Sequence, residues 1–237
     1  MNAVAGGGSF ISFPALMLSG VPPVPANATS TIALLFGVSA SGGAYRERFN
    51  ISRRVMVPLI LISLVGGLIG ALLLVHTPTQ TFLRVIPWLL LGATLLFAFG
   101  RRLTDLLAGG ISGDASNLAI AGASLFEFIV AIYGGYFGGG IGIMNLAMLA
   151  ALGMTDIHAM NALKVLLSGT ANGVATVAFL FKRVIFWPQA IVMTVGALVG
   201  GYFSAHYAQK LPPAWIRWFI LAVGFGMTIY FFARAYL

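Results

Sequence analysis

The sequence predicts an all-α fold: a polytopic membrane helix bundle of two repeated halves, with glycine-broken or re-entrant half-helices. Three observations carry this: an apolar composition, a series of long uncharged runs, and an internal duplication. Of 237 residues, 59% are apolar and 8% charged, whereas a soluble domain runs about 45–50% apolar and about 25% charged. Thirteen Lys/Arg and 5 Asp/Glu cannot coat a water-soluble domain of this size. A soluble enzyme, a nucleic-acid binder and a disordered chain are therefore excluded. The +8 net charge reads as a set of topology signals at a bilayer surface, so the expected partner is the lipid bilayer and no nucleic acid. Cysteine is absent, which removes disulfides and thiolate sites. The three histidines are scattered, so neither a metal nor another cofactor is expected.

About 20 mostly apolar residues are needed to cross the hydrocarbon core. Seven runs reach that scale: Ala28–Tyr45, Val55–Val75, Phe82–Gly100, Leu118–Phe137, Ala159–Phe181, Val184–Ala205 and Ala214–Ala233. Val55–Val75 carries no charge at all. Two further stretches, Gly6–Ser19 and Gly139–Leu152, are too short to span and fit half-helices or re-entrant segments. No alternating pattern of β-barrel strands occurs. Met1–Gly8 lacks the basic start of a cleaved signal peptide.

The basic residues suggest an orientation. Arg46, Arg48, Arg53 and Arg54 fill one loop, Arg101 and Arg102 a second, Lys182 and Arg183 a third. If Gly139–Leu152 re-enters without crossing, these loops and Arg234 share one side, and Arg84, Lys210 and Arg217 lie toward the other. The basic side then reads as cytoplasmic, with a cytoplasmic C-terminus. If the segment crosses, the second half inverts and the bias shrinks.

The duplication is ordered. Leu64-Val65-Gly66-Gly67 returns as Leu198-Val199-Gly200-Gly201, an offset of 134 residues. At that offset Asn27-Ala28 matches Asn161-Ala162, Ala71 matches Ala205, Pro78 matches Pro212 and Phe97 matches Phe231. Upstream the register slips slightly, so that Gly6-Gly7-Gly8 faces Gly138-Gly139-Gly140 and Gly20 faces Gly153. Residues 1–100 form the first unit, with its leading helix apparently truncated, 101–117 a cytoplasmic linker and 118–237 the second unit. A full apolar run, Leu118–Phe137, precedes the second glycine triplet, and only five residues precede the first. Duplicated membrane units mark secondary transporters, whose sites lie where the halves meet.

These motifs resemble the TauE/SafE sulfite and organic-anion exporter family. The first unit contributes Gly6-Gly7-Gly8 through Pro14, then Gly20-Val21-Pro22 and Ala26-Asn27-Ala28-Thr29-Ser30. The second contributes Phe137 through Gly142, then Gly153 and Asn161-Ala162-Leu163-Lys164. The resemblance covers essentially the whole chain. It implies an eight-helix carrier of sulfite, sulfonates or related organic anions in the cell membrane, with proton coupling and homo-oligomer formation left open. The chain departs from the family in lacking most of the first helix.

Glycine triplets favour a break, since each Gly lowers helix stability by about 1 kcal/mol relative to Ala. The free N–H groups and positive dipole of the segment after the break suit an anion. Gly138, Gly139 and Gly140 are therefore substrate-binding candidates, whereas the spaced pairs Gly66/Gly70, Gly169/Gly173 and Gly196/Gly200 read as helix-packing seams. Lys164, within an apolar run, can attract an anion, snorkel to an interface, or pair with Glu127. Two clusters, Asn27/Thr29/Ser30 and Asn161/Lys164/Ser168, supply amide, hydroxyl and ammonium donors suited to an oxyanion, though hydroxyls also cap helices or bond back to the preceding turn. Glu127, the acid in mid-span, is the candidate for proton coupling, or else a structural acid. Asp156 reads as a helix cap and His158 as a loop residue.

Two other classes compete with a transporter. An intramembrane hydrolase would join Ser9 or Ser168 to His158 or His206 by a hydrogen bond, yet no serine has an enzyme-specific setting. A structural or assembly protein would have a dry core. The expected protein is a non-enzymatic membrane transporter of a small anionic substrate.

Overall fold

The computed structural model describes residues 8–42, 52–107, 117–154, 156–207 and 213–236. Among them are nine helices: α1 (Ser9–Leu18), α2 (Pro23–Gly42), α3 (Arg53–His76), α4 (Thr79–Leu107), α5 (Asn117–Tyr136), α6 (Ile141–Ala151), α7 (Ile157–Phe181), α8 (Trp187–Tyr207) and α9 (Pro213–Tyr236). Five segments are long and apolar enough to cross a membrane: Arg53–His76, Thr79–Gly100, Asn117–Tyr136, His158–Phe181 and Trp218–Tyr236. The fold is a polytopic helical bundle. α4 continues through Arg101 and Arg102 to Leu107, into the stretch read from sequence as a linker.

Local chemistry sets the boundaries. α2 opens on Pro23, where a missing N–H costs nothing. α7 is capped by Asp156, whose carboxylate accepts from the His158 amide at 2.8 Å. The two short helices end identically. After α1, the amides of Ser19, Gly20 and Val21 reach the carbonyls of Ala15, Met17 and Leu16; after α6, those of Leu152, Gly153 and Met154 reach Met148, Ala150 and Leu149. Gly20 and Gly153 both take left-handed φ, 88° and 81°. Neither short helix belongs to a longer one, as their sequences predict.

Contacts fix the directions of the helices. Arg54 bonds Asn117 at the starts of α3 and α5, Ser63 bonds Glu127 further along, and Thr77 bonds Tyr136 at their ends. The two helices are parallel. α7 shares their direction: Leu163 and Leu167 cluster with Leu59, Gly67 abuts Ala171, and Phe179 joins the cluster of Leu74. α6 ends and α7 begins beside the start of α3. By contrast α2 begins at the opposite end, beside Tyr136 and Phe186. The corresponding hairpins α1–α2 and α6–α7 thus sit at opposite ends of the bundle. α3 packs on α7 as α8 packs on α2, and α6 packs on α4 as α1 packs on α9. The two units are inverted repeats, the arrangement that suits alternating access.

This geometry corrects the expected charge distribution. Tyr236 donates to the Arg84 carbonyl near the start of α4, and Gly224 lies against Thr94, so α9 runs antiparallel to α4. The C-terminus and Arg234 therefore lie at the Thr77 end, with Lys182 and Arg183, at about 36 Å from Arg53 and Arg54 along α3. The physical reason is α6, which returns the chain to the Arg53 end and inverts the helices after it. With Arg84 also at the Thr77 end, basic residues no longer gather on one face, and the ground for a cytoplasmic C-terminus is removed. Arg46, Arg48 and Lys210 lie outside the described residues.

Glycine packing divides the expected seams. A Cβ on Gly66 would meet Ala131 Cβ at 2.7 Å, and one on Gly70 would stand 2.1 Å from the Ile132 carbonyl oxygen. That seam joins α3 to α5. Gly169, Gly173 and Gly196 instead face open space, so their spacing does not mark a packed seam.

Candidate functional site

The break before α6 is built by two left-handed glycines, Gly138 (φ 80°) and Gly140 (φ 81°), a conformation other residues adopt only at a cost. Gly139 is held between them: its carbonyl accepts from the Tyr133 hydroxyl at 2.6 Å. Gly140 lies against Ala93 in the middle of α4, and Gly138 lies near Gly134 and Asn172. The break is thus deep in the bundle. The hydrogen-bond ladder of α6 starts at Ile143, whose amide reaches Gly140 at 3.0 Å, leaving the Ile141 and Gly142 amides ahead of it.

α1 repeats this start. The amides of Ile11 and Ser12 reach Gly8 at 3.1 and 3.0 Å, as those of Ile143 and Met144 reach Gly140. Gly8 itself is helical (φ −60°); Gly6 and Gly7 lie outside the described residues. Phe13 of α1 packs edge-on against Phe137 of the break, centroids 5.8 Å apart. Two half-helices of opposite sense therefore leave the interior of the bundle, each with its positive dipole end inward.

The polar candidates separate. Asn27 donates 2.9 Å to the Tyr136 carbonyl, and Thr29 accepts from the Phe186 amide at 3.0 Å, so both tie the first unit to the second. Ser30 lies 2.5 Å from Ser12 of α1. Asn161, Lys164 and Ser168 lie on α7, whose start is at the other end of the bundle. Lys164 is buried and its ammonium donates 2.8 Å to Asn161 Oδ1. Steps of four carry the stripe from Lys164 through Ser168 to Asn172, toward the broken start of α6. Glu127 is fully buried, accepting from Ser63 at 2.6 Å through Oε1, while Oε2 has no hydrogen-bond partner.

One residue escaped the sequence reading. Asn145 is fully buried and donates 3.3 Å to Ser168 Oγ. The signal was available: it is the one polar side chain in the run Ile141–Ala151, and the shifted repeat register sets it opposite Ser12. No Ser–His pair is built among the described residues: Ser168 is engaged by Asn145, and His158 is exposed at its helix start. No group of three or more His, Cys, Asp or Glu gathers there either.

The family model described as "Sulfite exporter TauE/SafE" matches residues 1–231. The chain belongs to the TauE/SafE family. A probable membrane transporter protein of Haemophilus influenzae is 31% identical over 234 residues, covering 96% of this chain and 88% of that protein. The probable membrane transporter protein ORF9 of Sinorhizobium sp is 25% identical, covering 97% of this chain and 86% of its own length. The probable membrane transporter protein YfcA of Escherichia coli K12 is also 25% identical, with 96% and 83% covered. No solved structure matches. As a TauE/SafE protein with five segments able to span a bilayer, the chain is a multi-pass membrane transporter, and its relatives' names fit a non-enzyme.

Proposed function

We propose that this TauE/SafE transporter carries small anions, sulfite or sulfonates foremost, across the cell membrane, binding them at the inward starts of α1 and α6. The observation that carries the reading is the pair of half-helices in inverted units, both starting inside the bundle at glycine. Amides ahead of a helix ladder, together with the dipole, favour negative charge without a fixed counter-ion. Lys164 supplies a compact positive charge on the stripe leading to that point. Inversion gives each half-helix access from one end, which suits alternating exposure of one site. Glu127, buried with one unpartnered oxygen, is the group proposed to couple transport to protons.

The test is flux of radiolabelled sulfite, sulfonate and sulfate into proteoliposomes, with and without an imposed pH gradient. The proposal expects sulfite or sulfonate to enter faster than into protein-free vesicles, with a gradient response lost in Glu127→Gln. Equal entry with and without protein for every anion would overturn it. Flux unaffected by the gradient would remove the proton step alone.

A further inference from the structure

Asn145 and Ser12 hold equivalent places in the two half-helices, about one turn from the inward start. Their hydrogen bonding differs. Ser12 is spent: its hydroxyl donates to the Gly8 carbonyl at 3.0 Å and lies 2.5 Å from Ser30 Oγ. Asn145 donates from Nδ2 to Ser168 Oγ, yet its Oδ1 has no hydrogen-bond partner although the residue is fully buried. A buried acceptor left unsatisfied costs about 1–3 kcal/mol, and native interiors rarely keep one without a use.

Donor groups lie beside Asn145 on α7 and one turn before it on α6. Ser168 accepts from Asn145 and so directs its own proton elsewhere. The amides of Ile141 and Gly142 stand ahead of the α6 ladder, and the Lys164 ammonium is one turn from Ser168 on the same stripe. An anion bearing only acceptor oxygens satisfies these donors but sets an oxygen against Asn145 Oδ1. An anion that also bears an O–H satisfies both. We infer that Asn145 is a specificity-determining residue, accepting the O–H of a singly protonated oxyanion such as hydrogensulfite. This rests on the anion reading above and narrows it: the O–H, not the sulfur, is what Asn145 selects.

The unmatched acceptor gives a strong handle, because sites built around a hydrogen bond reject analogues lacking the partner group. Methanesulfinate places a methyl where hydrogensulfite has its hydroxyl, at the same charge. The experiment is binding of radiolabelled sulfite to the purified full chain in detergent, at an acidic pH where hydrogensulfite predominates. Unlabelled hydrogensulfite and methanesulfinate compete in separate titrations. The wild type should prefer hydrogensulfite by at least about tenfold, roughly one hydrogen bond to a charged ligand. Asn145→Leu should lose that preference, while Thr170→Ala, whose hydroxyl is occupied by the Leu166 carbonyl, should keep it.

Equal competition by methanesulfinate in the wild type would overturn the inference and leave the anion reading intact, as would an intact preference in Asn145→Leu. Absence of any anion binding would overturn both. If Asn145→Leu fails to fold, judged by its melting in detergent, the wild-type comparison decides alone.

Discussion

Gly135 of α5 lies so close to the Gly67 carbonyl of α3 that a Cβ on Gly135 would stand 2.1 Å from that oxygen. Both partners are backbone, so neither can yield by changing rotamer. Gly135→Ala and Gly70→Ala should therefore each destabilise the bundle by about 1–3 kcal/mol or more, through overpacking. Gly92→Ala and Gly122→Ala, where a Cβ meets nothing within 4 Å, should be neutral or gain up to about 1 kcal/mol of helix propensity. Melting in detergent checks both pairs.

Gly20 and Gly153 test the equivalence of the units. Each closes its half-helix in the left-handed region, and a Cβ on Gly20 would meet no atom within 4 Å. Strain alone should then make Gly20→Ala lose about 1–2 kcal/mol, and Gly153→Ala should lose a similar amount. A neutral Gly20→Ala in a melting series would contradict the conformation assigned there.

Lys164 separates charge from assembly. Lys164→Gln keeps length and donors but drops the charge, so flux should weaken by roughly 10- to 150-fold in apparent affinity, the worth of one charge-assisted contact. Lys164→Arg should also impair flux, because a planar fork does not replace a compact ammonium. Both proteins should still melt cooperatively. Normal flux through a stable Lys164→Gln protein would remove the lysine from the path.

Much of this was legible in the residues. The short runs at Gly6–Ser19 and Gly139–Leu152 foretold two half-helices, and the 134-residue offset foretold two units. Composition could not reveal their relative sense. Whether α6 returns the chain to the Arg53 end depends on three-dimensional packing, on Leu149 and Leu152 meeting Leu59, and a charge count made under the other assumption put Arg234 on the wrong face. Glycine spacing was equally ambiguous: Gly66/Gly70 and Gly169/Gly173 read alike, yet only the first pair has a helix against it. Asn27 and Thr29 carry donors that suit an oxyanion. Sequence could not show that Asn27 also bonds the Tyr136 carbonyl and that Thr29 also accepts from the Phe186 amide.

The inverted arrangement makes a sidedness prediction. The chain has no native cysteine, so single cysteines report cleanly. Ser52→Cys should label from one side of the membrane with an impermeant thiol reagent. Gln80→Cys and Tyr236→Cys should both label from the other, since Tyr236 reaches back to Arg84 near the start of α4. Labelling of Ser52→Cys and Tyr236→Cys from the same side would contradict the direction of α9.

The measurement that bears most directly on the account is counterflow of radiolabelled sulfite in proteoliposomes holding the purified protein. A carrier whose two inverted units expose one anion site to alternate sides must return its site after each passage. The account predicts that unlabelled sulfite inside the vesicles accelerates entry of the label, saturably. Entry indifferent to the internal anion, and rising without saturation, would contradict a single alternating site.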